Sequence, residues 1–236
     1  MDTQATNGFY PRPEETTGTT LVAVEFDGGV VVGTDSRTSA GSFIASRVTD
    51  KITPITNHLV VLRAGTAADT QAVADLARYQ IEVYSIMENA PLSIYRSSQV
   101  FRKFLYNYRE QLGASCIVAG YDEKEGGQVY TIPSGGMLVR QHFTSSGSGG
   151  HYIMTYFDNN WRPGMSVEEV KQLVKRGVAL AVHRDDASGG VVRLAVIDKN
   201  GYQPEIHRYD RNDLPEFAKP KVYTTYPPHI LQHPTE

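Results

Sequence analysis

The order in which the hydrophobic period changes along this chain constrains its fold more than any other feature. Residues 20–26 alternate and are rich in β-branched side chains; Asp27-Gly28-Gly29 follows, then the apolar run 30–33. Two apolar runs about an Asp-Gly pair predict a β-hairpin, because glycine accepts the positive φ that a tight turn requires. Residues 59–62 predict a further strand. The period then lengthens. Val73, Leu76, Ala77, Ile81 and Tyr84 recur every three or four positions within 68–89, and Ile94, Phe101, Phe104, Leu105 and Tyr108 do so within 93–112. Both stretches predict amphipathic helices, with Pro91 between them.

Residues 115–121, 128–133 and 137–144 return to short strands punctuated by glycine pairs. A short helix is predicted over 152–158 and a longer one over 166–183. Ser166 suits the N-cap, Glu168 and Glu169 suit the positive first turn, and Val167, Val170, Leu173, Val174 and Leu180 form one stripe. Strands over 191–198 and 202–209 flank Asn200-Gly201, a second hairpin turn. The order is thus strands, two helices, strands, helices, strands. Hairpin-short links imply antiparallel pairing. Two antiparallel sheets packed face to face, with helices outside each, satisfy this order and predict an α+β fold. No internal repeat is visible.

Residues 1–18 stand apart. They carry Asn7, Gly8, Pro11 and Pro13 with almost no aliphatic side chains, too little to offset their ordering entropy. The tail from Pro215, rich in Pro and Tyr, is expected to lie over a surface or a neighbour. The formal net charge of −3 argues against a nucleic-acid reader, and no apolar run has the length of a membrane span. The first residues show no basic or apolar region of a secretion signal. The single cysteine, Cys116, cannot form an internal disulfide and fits a reducing compartment.

There is no CxxC pair, HExxH or GxxxxGK[ST], and the seven histidines lack metal-ligand spacing. The glycine-rich stretch Ser145-Ser146-Gly147-Ser148-Gly149-Gly150 could cradle a phosphate, but without a strand–loop–Lys context it reads better as a plain turn. Three polar residues stand out. Asp35 ends the second strand in Gly33-Thr34-Asp35-Ser36-Arg37. Lys51 sits in Val48-Thr49-Asp50-Lys51-Ile52. Gly18-Thr19-Thr20 marks the boundary between leader and first strand. Singly, each has an ordinary structural role: a turn cap, a snorkelling lysine, a strand's first residue.

With Arg63-Ala64-Gly65-Thr66-Ala67-Ala68-Asp69, Ser148, and Asp185 and Ser188 in Arg184-Asp185-Asp186-Ala187-Ser188-Gly189-Gly190, the set resembles the catalytic beta subunits of the 20S proteasome, which are N-terminal-nucleophile hydrolases. The resemblance covers about residues 18–215. Thr20 to Gly29 and Arg47-Val48-Thr49-Asp50-Lys51 look most like the caspase-like subunit of the eukaryotic particle. The resemblance implies a four-layer αββα sandwich, a propeptide over residues 1–18, and one domain over 19–236. It implies a threonine endopeptidase that self-cleaves at Gly18-Thr19 and cuts unfolded polypeptide after acidic residues. It would work within stacked heptameric rings of alpha and beta subunits, in ubiquitin-dependent degradation in cytoplasm and nucleus. No metal or organic cofactor and no nucleic acid or membrane partner is implied.

The roles carried over are these. Thr19 is the nucleophile, Asp35 and Lys51 its charged partners, with Arg37 in support. Ser148, Asp185 and Ser188 surround the threonine amine; a one-residue shift in the glycine-rich stretch leaves Ser146 as an alternative to Ser148. The Gly65 N–H stabilises the oxyanion. Arg63 forms the floor of the specificity pocket, Thr38, Thr49 and Thr53 its walls, and Ser39 pairs with substrate backbone.

The chemistry suits the residue types. A threonine hydroxyl is a poor nucleophile until a base takes its proton. Once the bond after Gly18 is cut, Thr19 has a free α-amine, with an ordinary pKa of roughly 7.7–8.0, and a cation beside it favours the neutral form. While the leader remains, that nitrogen is an amide and cannot serve as the base. An arginine at the pocket floor offers a fork suited to a carboxylate. The alternatives are a non-catalytic beta subunit, which would typically lack the Gly-Thr junction or the lysine; a simpler homologue in homomeric rings; and a small-molecule amidase active without ring partners.

Overall fold

The computed structural model describes residues 18–40, 43–209, 213–215 and 217. The expected leader up to residue 17, and most of the expected tail, lie outside the described residues. Strands β1 (Leu21–Phe26) and β2 (Gly29–Thr34) form the predicted hairpin. Their register pairs Phe26 with Gly29, so Asp27 and Gly28 make a two-residue turn, with Gly28 at φ +115°.

The chain continues through β3 (Thr38–Ala40), β4 (Phe43–Ser46), β5 (Ile52–Thr56) and β6 (Leu59–Gly65) to α1 (Ala67–Glu88) and α2 (Ile94–Asn107). Then come β7 (Ala114–Asp122), β8 (Gly126–Ile132), β9 (Val139–Arg140), β10 (Phe143–Ser146), α3 (Gly150–Asn160), α4 (Val167–Arg184), β11 (Val192–Asp198) and β12 (Gly201–His207). One five-stranded sheet has the order β10-β1-β2-β11-β12, the other β5-β6-β7-β8-β9, and β3 pairs with β4 alone. All pairings are antiparallel.

Strand alternation explains the layers. Leu21 and Ala23 on β1 face Val60, Leu62, Ile117 and Val129 of the other sheet. Their neighbours Val22 and Val24 face the opposite way, onto Ile153, Phe157, Val174 and Val178 of α3 and α4. On the second sheet, Val61, Cys116 and Val118 meet Val73, Ala77, Ile81, Phe101 and Leu105 of α1 and α2. Central strands are therefore buried on both faces, which is why they read as unbroken apolar runs. The result is an αββα sandwich. Its α4 starts with a reciprocal cap: Ser166 accepts from the Glu169 N–H while the Glu169 carboxylate accepts from the Ser166 N–H.

Two expectations are corrected. Residues 137–144 are not one strand: β9 pairs with β8 and β10 with β1, so the chain changes sheets at Gln141 and His142. Helix α2 stops at Asn107 rather than continuing to 112; the Tyr108 carbonyl accepts from both Gln111 and Leu112 in a closing turn. The neighbours β6 and β7 are joined through both helices, in the order read from the sequence. Strands β3, β4 and β5 carry no clear sequence signal, β3 and β4 being only three and four residues long and β5 holding Pro54 at a register irregularity on a sheet edge.

The start of β1, the ends of β2, β6 and β10, and the beginnings of β5 and β11 all fall at one end of the sandwich, as their registers require. Most of the predicted site residues are carried there.

Candidate active site

Lys51 is the centre of the site. It precedes β5 and is almost wholly buried. An ammonium has three N–H groups, and each has an acceptor. Asp35 Oδ1 lies 2.7 Å away, the Thr19 hydroxyl 3.1 Å and the Gly18 carbonyl 3.0 Å. Burial pushes the Lys51 pKa below its ordinary value, against the pull of the Asp35 charge and hydrogen bond.

Asp35 follows β2 and has no exposed surface. Besides Lys51, its Oδ1 accepts from the Thr20 N–H at 2.9 Å; its Oδ2 accepts from the N–H groups of Gly189 at 3.0 Å and Arg37 at 3.2 Å. Four donors thus fix one buried carboxylate, which in turn aims Lys51.

A second chain of bonds leads from the Thr19 nitrogen. Its N–H donates to Ser148 Oγ at 3.1 Å, and Ser148 donates to Asp185 Oδ2 at 2.7 Å. Ser188 donates to the same Asp185 oxygen at 2.6 Å. With its proton so used, Ser188 Oγ accepts from the Thr20 hydroxyl, 2.8 Å away. Of the two candidate serines, Ser148 makes these contacts, and Ser146 ends β10 opposite Leu21.

Close backbone approaches hold Thr19 from both sides. A Cβ on Gly18 would lie 2.1 Å from the Ala187 Cβ and 2.2 Å from the Ala187 carbonyl oxygen. Gly147 has φ +80°, and a Cβ there would lie 2.2 Å from the Thr19 carbonyl oxygen. Glycine is needed at both positions. The glycine-rich stretch is a turn around Thr19, whose carbonyl accepts the Gly149 N–H at 3.1 Å. Arg37 straps the 185–190 loop: its guanidinium donates to the Asp186 carbonyl at 2.7 Å and lies against Gly189.

Arg63 sits on β6 beside this cluster, its N–H donating to the Lys51 carbonyl at 3.1 Å. Its half-buried guanidinium donates to the Asp50 carbonyl at 3.2 Å. Burial lowers its pKa, opposed by Asp50 and Asp75. Its Nε is buried with no hydrogen-bond partner among the described residues. Thr38 and Thr49 are joined by a 2.9 Å hydroxyl bond, and Ser39 lies next to Thr38 on β3. Gly65 ends β6 at φ +116°, where a Cβ would lie 2.0 Å from the Gly113 carbonyl oxygen. Thr53 lies opposite Val61 on β5, and its side chain is not joined to the cluster.

Sequence reasoning missed Thr20 and Gly189, both bound to Asp35, and Thr70, which lines a small cavity with Arg63. Backbone donors have no sequence signature; the doubled threonine after Gly18 was the only available hint for Thr20. A cleft of about 970 Å³ lies between the β7–β8 turn and the α1–α2 connection, and none of the cluster residues lines it.

Comparison with known proteins matches residues 15–197 to the family model described as proteasome subunit. A Bos taurus protein named proteasome subunit beta type-9 is 47% identical over 92% of this chain and 98% of its own. The Homo sapiens protein of that name is 46% identical, over 90% of this chain and 96% of its own. A Dictyostelium discoideum protein named proteasome subunit beta type-6 is 44% identical, over 85% of this chain and 92% of its own.

Proposed function

The chain belongs to the proteasome subunit family, as a beta subunit that assembles with other proteasome subunits, and from that premise we propose that it is a catalytic subunit, a threonine endopeptidase released by its own cleavage after Gly18. The observation that carries this reading is the Lys51 ammonium, bonded at once to a buried carboxylate, to the Thr19 hydroxyl and to the carbonyl of the bond to be cut.

In self-cleavage, Thr19 Oγ attacks the Gly18 carbonyl carbon. Lys51, donating to that carbonyl oxygen, stabilises the negative charge that develops there. The C–N bond breaks, the hydroxyl proton ends on the departing nitrogen, and an ester joins Gly18 to Thr19 Oγ. Water hydrolyses the ester, freeing the Gly18 carboxylate and the Thr19 hydroxyl. The new amine lies against Ser148. It takes the hydroxyl proton as Oγ attacks a substrate carbonyl, then gives it to the leaving amine; water releases the acyl group. Lys51 beside it keeps the amine neutral, and the serine–aspartate chain orients it. The Gly65 N–H is the proposed oxyanion donor.

The proposed preference for acidic residues rests on Arg63. The relatives' names carry type designations and no preference. What supports it is a half-buried guanidinium next to Lys51 that meets no carboxylate oxygen among the described residues, its one side-chain bond going to the Asp50 carbonyl. Thr38, Thr49, Ser39 and Thr53 are proposed as the surrounding walls. Stacked rings enclosing the site are supported by apolar side chains left exposed on the outer face of α1: Leu76, Tyr79, Ile86 and Met87. A non-catalytic role has no observation in its favour.

The test is the peptidase activity of assembled particles in which this subunit carries the sole nucleophile. Thr19→Ala should abolish hydrolysis while assembly persists; activity equal to wild type would end the reading.

A further inference from the structure

The Arg63 guanidinium stands among charges of both signs, with Asp50 and Asp75 attracting it and Arg78 repelling it. Each of those carboxylates has an arginine of its own. Asp75 lies 3.9 Å from Arg78 on the exposed face of α1. Asp50 is held from the other sheet. Arg193, on β11 opposite Thr34, sends one guanidinium nitrogen to Asp50 Oδ2 at 3.4 Å and the other to the Val48 carbonyl at 2.7 Å. Its side chain is mostly buried. The third nearby cation, Lys51, is committed to Asp35.

Arg63 touches Asp50 only through the backbone carbonyl. The carboxylate of that residue is turned away from Arg63, its Oδ1 accepting from the Ile52 N–H at 2.9 Å and its Oδ2 from Arg193. We propose that Arg193 is a positioning residue for substrate selection: by holding the Asp50 carboxylate, it keeps the Arg63 guanidinium unspent for a substrate carboxylate. The proposal rests on the reading of Arg63 as the pocket cation.

The physical argument is competition. A carboxylate tethered beside a cation acts as an intramolecular rival to any carboxylate arriving from solution. Without Arg193, Oδ2 is released and only the Ile52 N–H still holds the carboxylate, so Asp50 would turn to the Arg63 cation, and an acidic substrate would have to displace it. Arginine suits the task because its fork binds two oxygens at once, here a backbone carbonyl and a carboxylate. A purely structural role would weaken turnover of every substrate alike. The proposed role weakens the binding of acidic substrates alone.

The test uses assembled particles with the other catalytic subunits silenced, and fluorogenic peptides ending in an acidic or an apolar residue. Arg193→Gln should raise KM for acidic peptides about tenfold, discounted for the partial exposure of Asp50, and leave kcat and the apolar kinetics near wild type. Asp50→Asn in that background should bring KM back, because no carboxylate remains to compete. Three outcomes overturn the proposal: an unchanged acidic KM in Arg193→Gln, an equal loss on both peptides, or no recovery with Asp50→Asn. Should Arg193→Gln fail to assemble, Asp50→Asn alone decides: acidic KM equal to or below wild type supports the proposal, and a raised value contradicts it. The parent reading fails separately. A wild type without acidic preference, or one whose preference survives Arg63→Leu, removes the pocket cation itself. A preference that Arg63→Leu abolishes and Arg193→Gln leaves intact removes only the role of Arg193.

Discussion

The neighbourhoods of Lys51 and Arg63 lie side by side, joined by one backbone hydrogen bond, yet are built on opposite principles. Around Lys51 every ammonium donor is placed, and its carboxylate partner accepts from four groups. Around Arg63 the guanidinium is half-buried, its Nε has no partner among the described residues, and its one side-chain hydrogen bond goes to a backbone carbonyl. A charge fully committed inside the protein orients a reaction; a charge left partly uncommitted awaits a ligand. The first region should therefore respond to substitution all or none, and the second by degrees.

The largest expected effect is in the first region. Lys51→Ala should abolish both self-cleavage and peptide hydrolysis, a loss of at least about a thousandfold. Lys51→Arg should not rescue it, because a planar guanidinium cannot reach three acceptors arranged about a compact ammonium. Single-turnover assays on assembled particles measure this; graded activity in Lys51→Arg would erase the contrast between the regions.

Next comes Gly18→Ala. Its methyl group would collide with Ala187 Cβ and with the Ala187 carbonyl oxygen, displacing the scissile carbonyl from Lys51. Displacements near 1 Å cost about a hundredfold, so self-cleavage should slow by that order, read from the precursor's mass over time. Ala187→Gly should not restore it, because the carbonyl oxygen remains.

The second region should show smaller, selective effects. Arg63→Leu removes charge-assisted bonds worth about 1.5–3 kcal/mol, or about one to two orders of magnitude in kcat/KM for acidic peptides. Cleavage after apolar residues should improve, since no unpaired guanidinium is desolvated. Equal loss on acidic and apolar peptides would show that the two regions act as one. Smallest of all is Thr49→Val, which deletes the Thr38–Thr49 bond. At about 1 kcal/mol, KM should rise by about fivefold with kcat unchanged, as steady-state kinetics would show.

The same contrast explains what the sequence could reveal. The layer order was legible because buried strands and helices carry their period in their own residues, as in residues 30–33 and in Val73, Ala77 and Ile81. Thr19, Asp35 and Lys51 were legible through their flanking motifs. The donors that fix Asp35 were not: Gly189 lies 154 residues away and contributes only an N–H group. The sheet change at Gln141 and His142 escaped notice because both flanking strands are short and semi-polar, and only pairing partners distinguish them. Arg193 reads in sequence as an ordinary polar position on a strand; its link to Asp50 exists only once the two sheets are stacked.

The central claim is that the Lys51 cluster cuts the chain after Gly18 and thereby creates its own base. The most direct measurement is the N-terminal residue of this subunit, by mass spectrometry, from assembled wild-type and Lys51→Ala particles. The account predicts a chain beginning at Thr19 in the wild type and one retaining the residues through Gly18 in Lys51→Ala. An active wild-type particle whose subunit still carries those residues, or a Lys51→Ala subunit that begins at Thr19, would contradict it.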